Sequence, residues 1–521
     1  MNLHCRKNRV RWLTHALMVF VMILPVLSAT ALAENFKPPV SRFPPGMREA
    51  PVPDDSESAR QAAIERLRSA PRKPVCPGAS SAATSLLGTQ CGTREFDAPP
   101  LLTAPKMQWI VNRGWWGANP FTLVGNKLIS YSCGNETNKG ITAFEMPTGK
   151  VLWNNKQVCE LRGDANGGER FFVLPDDTLL LAVGWGSMHF DLKTGKLLKS
   201  ETKKLNTWNL QLFDGTFVSH GRKSDFSHLS GRNLDRGKPL WSIDAFRAKC
   251  PTSIADSDCT AFFSNPAYSD GILYISAASK NQGDLPFRQL HAIDVRSGNV
   301  LWHHEGQPVI YQVMQGGKRS DDGSPMLVGG KVITRVDGLA GYSYGFRALD
   351  AKTGREIWTT APIPGSFQEE WPPRARLAQT GHDMGAHLVS GDMLIVLVFG
   401  TIPGHRELWA YRLADGRPAW RRPLPDPDSP VRLTPAASAG GVIYLMDGRI
   451  IMALDGDTGT QLWTWTQPTD NDYPTFSMSG GEVSSRSASI ERGEINWPRD
   501  WTIGPDGAFY GTTAQGPFKI R

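Results

Sequence analysis

Along most of the chain, apolar and polar positions alternate in short runs, and each run stops at a turn rich in Gly or Asp. A period of two predicts half-buried β-strands rather than helices. The stretch LHAIDVRSGNVLWHHE, Leu290 to Glu305, shows the unit: a strand ending at Asp294, a turn at Gly298, and a second strand carrying Trp302. The turn glycine recurs as Gly149, Gly195, Gly237, Gly298, Gly354, Gly416 and Gly459. Four residues after each stands Trp153, Lys199, Trp241, Trp302, Trp358, Trp420 or Trp463. Four residues before stands Glu145, Asp191, Asn233, Asp294, Asp350, Arg412 or Asp455. A glycine that holds while its neighbours vary predicts a backbone position with φ > 0. A carboxylate at the strand end can accept hydrogen bonds from turn amides. A large Trp once per unit is best placed between neighbouring units, so the spacing predicts a hairpin that docks one sheet on the next.

A second marker runs in step with the first. A turn pair leading into an apolar strand occurs eight times, as in VGNKLISYS, SDGILYISA and PDGAFYGTT, against seven Gly–Trp hairpins. The missing hairpin is supplied if the segment KMQWIVN, with Trp109, closes the last sheet beside the C-terminal GPFKIR. Closure of this kind leaves no open sheet edge. The prediction is an all-β fold, an eight-bladed β-propeller of four-stranded antiparallel blades over residues 106–521.

The pattern A-x-D-x-x-T-G-x-x-x-W is carried by Ala348, Asp350, Thr353, Gly354 and Trp358, and again by Ala453, Asp455, Thr458, Gly459 and Trp463. It resembles the quinoprotein-type (PQQ-like) repeat of eight-bladed propellers, over roughly residues 106–521, nearly the whole mature chain. No unit carries a Gly-His…Trp-Asp signature or a regular Gly-Gly pair, so the WD and kelch alternatives fail. For the dehydrogenases of this superfamily the resemblance implies pyrroloquinoline quinone and calcium. It further implies a carboxylate and an Asn on the metal, an Asp base, an Arg near the quinone, a stacking Trp, and often adjacent cysteines. This chain has no adjacent Cys pair and no motif that matches the metal ligands, so no catalytic residue carries over. The outer-membrane assembly propeller lipoprotein, similar in kind, uses the repeat without the quinone. This chain departs from it in lacking a lipid-bearing Cys.

The ends change the picture of charge and compartment. Arg6, Lys7, Arg9 and Arg11 precede the apolar run Ala16 to Leu27, and Ala31-Leu32-Ala33 follows, so residues 1–33 read as a signal peptide. The formal charge of +7 includes those four cations, leaving +3 for a mature chain starting at Glu34. That value gives no support to nucleic-acid binding. No later apolar run is expected to span a membrane. The six cysteines beyond the leader read as disulfides of a periplasmic or secreted protein. Sequence neighbours suggest Cys76–Cys91, Cys133–Cys159 and Cys250–Cys259 among fifteen possible pairings. Residues 34–105 form a Pro-rich extension expected to be mobile. Within it a short helix is predicted from Asp54, with Asp54 capping, Glu57 reaching back, and Ala63, Ile64 and Leu67 on one face.

Ligands of a propeller usually sit at the mouth of the central channel, among the segments that lead into the innermost strands. Those segments offer Trp115, Trp116, Arg162, Arg170, Trp208, Asp321, Asp322, His382, Asp383, Arg432, Arg499 and Trp501. Arginines, acids and aromatics converging there would suit a planar anionic ligand or an acidic peptide. Solvated loops carry polar residues in any case. The acids of DGDTG, Asp455 to Gly459, look like a calcium loop, but Thr466 stands where the closing carboxylate belongs and the repeat already explains them. His303-His304 is given no metal role, and Asn135–Thr137 fits a glycosylation acceptor. Three classes of function follow. The first is a non-catalytic binding or scaffold module for an envelope protein, peptide or small anionic ligand, which predicts an exposed apolar or charged patch on a rim. The second is a PQQ- and calcium-dependent dehydrogenase, the third a carbohydrate-binding or carbohydrate-cleaving propeller.

Overall fold

The computed structural model describes residues 50–74, 76, 90–111, 121–133, 139–160, 170–183, 186–201, 210–220, 229–233, 239–243, 261–263, 266–279, 288–305, 324–337, 344–361, 387–399, 406–424, 434–447, 450–466, 501–512 and 516–521. The leader, Asn135–Thr137, Gly237, Cys250 and Cys259 lie outside these residues.

The alternating runs form eight sheets, each a meander from innermost to outermost strand. Blade one consists of Phe121–Val124, Lys127–Ser132, Gly140–Glu145 and Val151–Asn155. Blades two to seven repeat that order over 170–201, 211–243, 261–305, 326–359, 387–423 and 434–466. Blade eight joins the two ends of the chain: Trp501–Ile503, Phe509–Thr512 and Pro517–Ile520 are completed by Met107–Ile110, antiparallel to the last strand. Lys106 and Arg521 exchange both backbone hydrogen bonds, at 2.8 and 2.9 Å. Blade four splits its innermost strand into Ala261–Phe263 and Ala267–Ser269. Blade seven gains a short parallel strand, Glu95–Phe96.

The core lies between blade faces. Ile129 and Ile141 meet Leu179 and Leu181 across blades one and two, and Tyr444 meets Phe509 edge-on at 5.0 Å across blades seven and eight. Leu128, Phe144 and Tyr510 close the circle from blade eight to blade one. Sheets that twist as they radiate can bury both faces only against neighbours, so a complete ring is the arrangement that leaves none exposed.

The extension departs from the sequence expectation. Its described part is not a mobile leader but a strap on the propeller, because it supplies arginines and backbone carbonyls to the blades instead of building a core of its own. The helix α1 (Glu57–Ser69) buries Ala63 and Leu67 against the outermost strand of blade seven. Its cap is Ser56, whose hydroxyl accepts from the Ala59 amide at 3.2 Å; Asp54 instead accepts from the Ser56 amide, and Glu57 pairs with Arg60. Two disulfides are formed, Cys76–Cys91 and Cys133–Cys159.

Candidate functional site

The seam between blades is built by the repeat itself. In blade five, Asp350 accepts from the Thr353 amide and hydroxyl, both at 2.8 Å, and these bonds hold its carboxyl below the ordinary range. The Gly354 amide closes the turn on the Asp350 carbonyl. The indole of Trp302, on blade four, donates to the Ala351 carbonyl at 3.0 Å, and its ring lies against Gly354. Trp109, Trp241, Trp358 and Trp420 make the same bond to Met146, Val295, Leu413 and Gly456 of the next blade. At the seam into blade eight there is no continuous hairpin to meet. There Trp463 donates to the carbonyl of Leu101 in the extension, at 2.8 Å.

The extension also runs across the innermost strands of blades four to seven. Amides of Tyr268, Leu327, Val389 and Ser438, one from each innermost strand of blades four to seven, donate to the carbonyls of Gln90, Cys91, Thr93 and Arg94 at 2.7–3.0 Å. The Gly391 amide donates to the buried Glu95 carboxylate at 2.7 Å. Pro99 and Pro100 rest on Gly507 and Gly440. These contacts fall near the turns between first and second strands, at the other end of those strands from the segments the sequence candidates were drawn from.

Of those candidates, Arg170 opens the innermost strand of blade two, half-buried. Trp501 packs into the core of blade eight, edge-on to Phe509. Trp115, Trp116, Arg162, Trp208, Asp321, Asp322, His382, Asp383, Arg432 and Arg499 lie outside the described residues. The acids of DGDTG hold arginines. Arg66 of α1 meets Asp455 at 2.5 Å and Asp457 at 2.6 Å, while Arg72 meets Asp457 at 2.6 Å. Burial opposes the charge on Arg66, but the two carboxylates prevail and raise its pKa. These arginines were missed in the sequence; the signal that could have found them is the pair of acids in the blade seven turn facing the arginine-rich end of α1.

His304 is likewise committed. Its Nδ1 lies 3.2 Å from the Gly354 carbonyl, and the Arg347 guanidinium donates to its Nε2 at 2.9 Å. Burial and the Arg347 charge lower its pKa and favour the neutral ring. Among the described residues no group of three or more His, Cys, Asp or Glu is arranged to hold a metal ion. Both described disulfides join cysteines distant in sequence, 15 and 26 residues apart, and neither forms an adjacent-cysteine ring. No step through a quinone–calcium centre is derived.

The outer rim carries a different chemistry. Leu152, Leu198, Leu240, Leu301 and Ile357, each three residues after a turn-glycine position of blades one to five, are exposed. Val151 and Val300 lie beside two of them, also exposed. In blade seven the same position, Leu462, is buried in one cluster with Ala63 and Leu67 of α1.

The sequence pattern of the family described as outer membrane protein assembly factor BamB matches residues 101–305, 190–361 and 345–494. The dehydrogenase subunit of alcohol dehydrogenase (quinone) from Gluconobacter oxydans (strain 621H) is 29% identical over 143 residues, 27% of this chain and 17% of that protein. Quinohemoprotein alcohol dehydrogenase from Comamonas testosteroni is 29% identical over 198 residues, 36% of this chain and 24% of that protein. The matched stretches thus span about a quarter or less of these curated relatives. Among solved structures, BamB from Moraxella catarrhalis superposes with a TM-score of 0.44 at 13% identity, covering 80% of this chain and 97% of that one. The Comamonas testosteroni enzyme superposes at 0.48 and 11% identity, covering 89% and 83%.

Proposed function

The chain belongs to the family described as outer membrane protein assembly factor BamB, and from that premise we propose that it is an exported, non-catalytic propeller that binds an envelope protein or peptide. The observation that carries this reading is the rim: five consecutive blades present an apolar side chain to solvent at one repeated position. These repeated apolar positions on the outer strands are available to a partner. The scaffold suits the task, because five of the blade seams carry a direct indole–carbonyl bond, which holds neighbouring rim positions in place and limits the order lost on binding. Two formed disulfides support an oxidising compartment.

The competing reading, a PQQ- and calcium-dependent dehydrogenase, draws on the curated relatives. Native mass spectrometry of the full chain, incubated with pyrroloquinoline quinone and Ca²⁺, separates the two. The binding-module reading expects no stoichiometric uptake; uptake of one quinone and one metal per chain would replace it with the dehydrogenase.

A further inference from the structure

We propose that the outer strands of blades two and five are docking sites for an acidic amphipathic helix of a partner protein, in the place that blade seven gives to α1. The proposal rests on the binding-module reading and names the kind of partner.

Blade seven shows what this position accepts. Leu462 stands three residues after Gly459 and is only 3% exposed, because α1 packs on the strand Gln461–Thr466. Leu198 and Ile357 stand in the same register after Gly195 and Gly354, and remain 55% and 46% exposed. A single exposed apolar residue is ordinary. What distinguishes these two is the charge around them. Two residues after its acid, the blade seven turn has Asp457; blades two and five have Lys193 and Lys352 there. One residue after the glycine, blade seven has Thr460, where the others have Lys196 and Arg355.

The carboxylates of Asp191 and Asp350 accept from Thr194 and Thr353 within their own turns. Each of these turns therefore offers two exposed cations against one acid, while blade seven offers two acids. The helix seated on the acidic turn is basic on its facing edge, where Arg66 reaches both Asp455 and Asp457. A helix seated on the basic turns needs the opposite sign, with an Ala/Leu stripe like Ala63 and Leu67. A bilayer is disfavoured, since blades two and five are more than a quarter-turn apart in the ring and one plane cannot meet both outward faces.

The test uses the full chain and two labelled peptides read by fluorescence anisotropy. One has the sequence Glu57–Ser69; the other has Glu in place of Arg60, Arg66 and Arg68. The acidic peptide is expected to bind in a salt-sensitive manner and the native one not. Leu198→Ser with Ile357→Ser should weaken the acidic peptide about tenfold, the effect of losing one buried aliphatic side chain. Lys193→Glu with Lys352→Glu should reverse the preference, which a merely destabilised chain would not do. Equal binding of both peptides, or acidic-peptide binding indifferent to both variants, overturns the proposal. So does binding to phosphatidylglycerol vesicles that the Leu198/Ile357 variant loses, which would assign the rim to a membrane surface. Absence of peptide binding together with absence of quinone uptake removes the acidic helix and leaves the binding module. Quinone uptake removes the module itself.

Discussion

Gly354 answers to two constraints at once. Its φ of 69° lies where a side chain is unfavourable, and a Cβ there would fall 2.6 Å from the Trp302 ring of the preceding blade. Gly271 has a φ of 80° with nothing within 4 Å of its would-be Cβ. The pair separates backbone from contact. Gly271→Ala should lose about 1 kcal/mol, the left-handed backbone alone. Gly354→Ala should lose about 3 kcal/mol, because the indole must move as well. Guanidinium denaturation of both variants checks this, and equal losses would show that the Trp contact carries no cost. The indole N–H and the glycine thus form a single device, in which the hydrogen bond to Ala351 fixes the ring and the missing side chain lets it approach.

At the scale of elements, the strap is fastened by charge as well as by the buried Ala63, Leu67, Phe96 and Leu101. Arg422 on the outermost strand of blade six holds Asp55 through both carboxylate oxygens, at 2.7 and 2.8 Å, and Asp55 also accepts from the Gln461 amide at 2.9 Å. The Arg422 bond, ahead of the opposing effect of burial, keeps the Asp55 carboxyl below its ordinary 3.8. A depressed folded value means that the latch contributes fully above 3.8, and is lost as pH falls through the folded pKa. Asp55→Asn should loosen residues 51–60 at pH 7 and make them insensitive to acid. Hydrogen exchange corrected for intrinsic rates reads both effects; equal protection in variant and wild type would exclude the latch. Cys76–Cys91 secures the other end, placing Cys91 where its carbonyl receives the Leu327 amide.

For the whole molecule, stability depends on a strand from one end of the chain completing the sheet of the other. Met107–Ile110 pairs with Pro517–Ile520, and Trp109 reaches across to the Met146 carbonyl of blade one at 3.0 Å. Deleting residues 1–111 removes the outermost strand of blade eight, one indole seam, and the Leu101 carbonyl that receives Trp463. The truncated chain should lose cooperative unfolding and associate through the bared edge. Size-exclusion chromatography with light scattering would show oligomers; a monomer with an unchanged melting curve would mean that closure is dispensable.

Length-independent regularities made the fold legible. Alternation specified strands, the repeat specified the blade, and the excess of one strand marker over the hairpins pointed to closure by the N-terminal strand, because each rests on chemistry a few residues apart. The extension was not legible in the same way. Its low apolar content suggested mobility, yet Gln90, Cys91, Thr93 and Arg94 are held through backbone carbonyls, which every sequence possesses and no side-chain pattern reveals. Arg66 and Asp455 are 389 residues apart, so nothing local could pair them. The rim residues shared one spacing in the sequence, but only the folded ring decided that Leu462 is covered while Leu198 and Ile357 face solvent. Local periodicity determined what each blade is. Which blade surfaces stay open was decided by where a distant segment came to rest, and that depends on closing the ring.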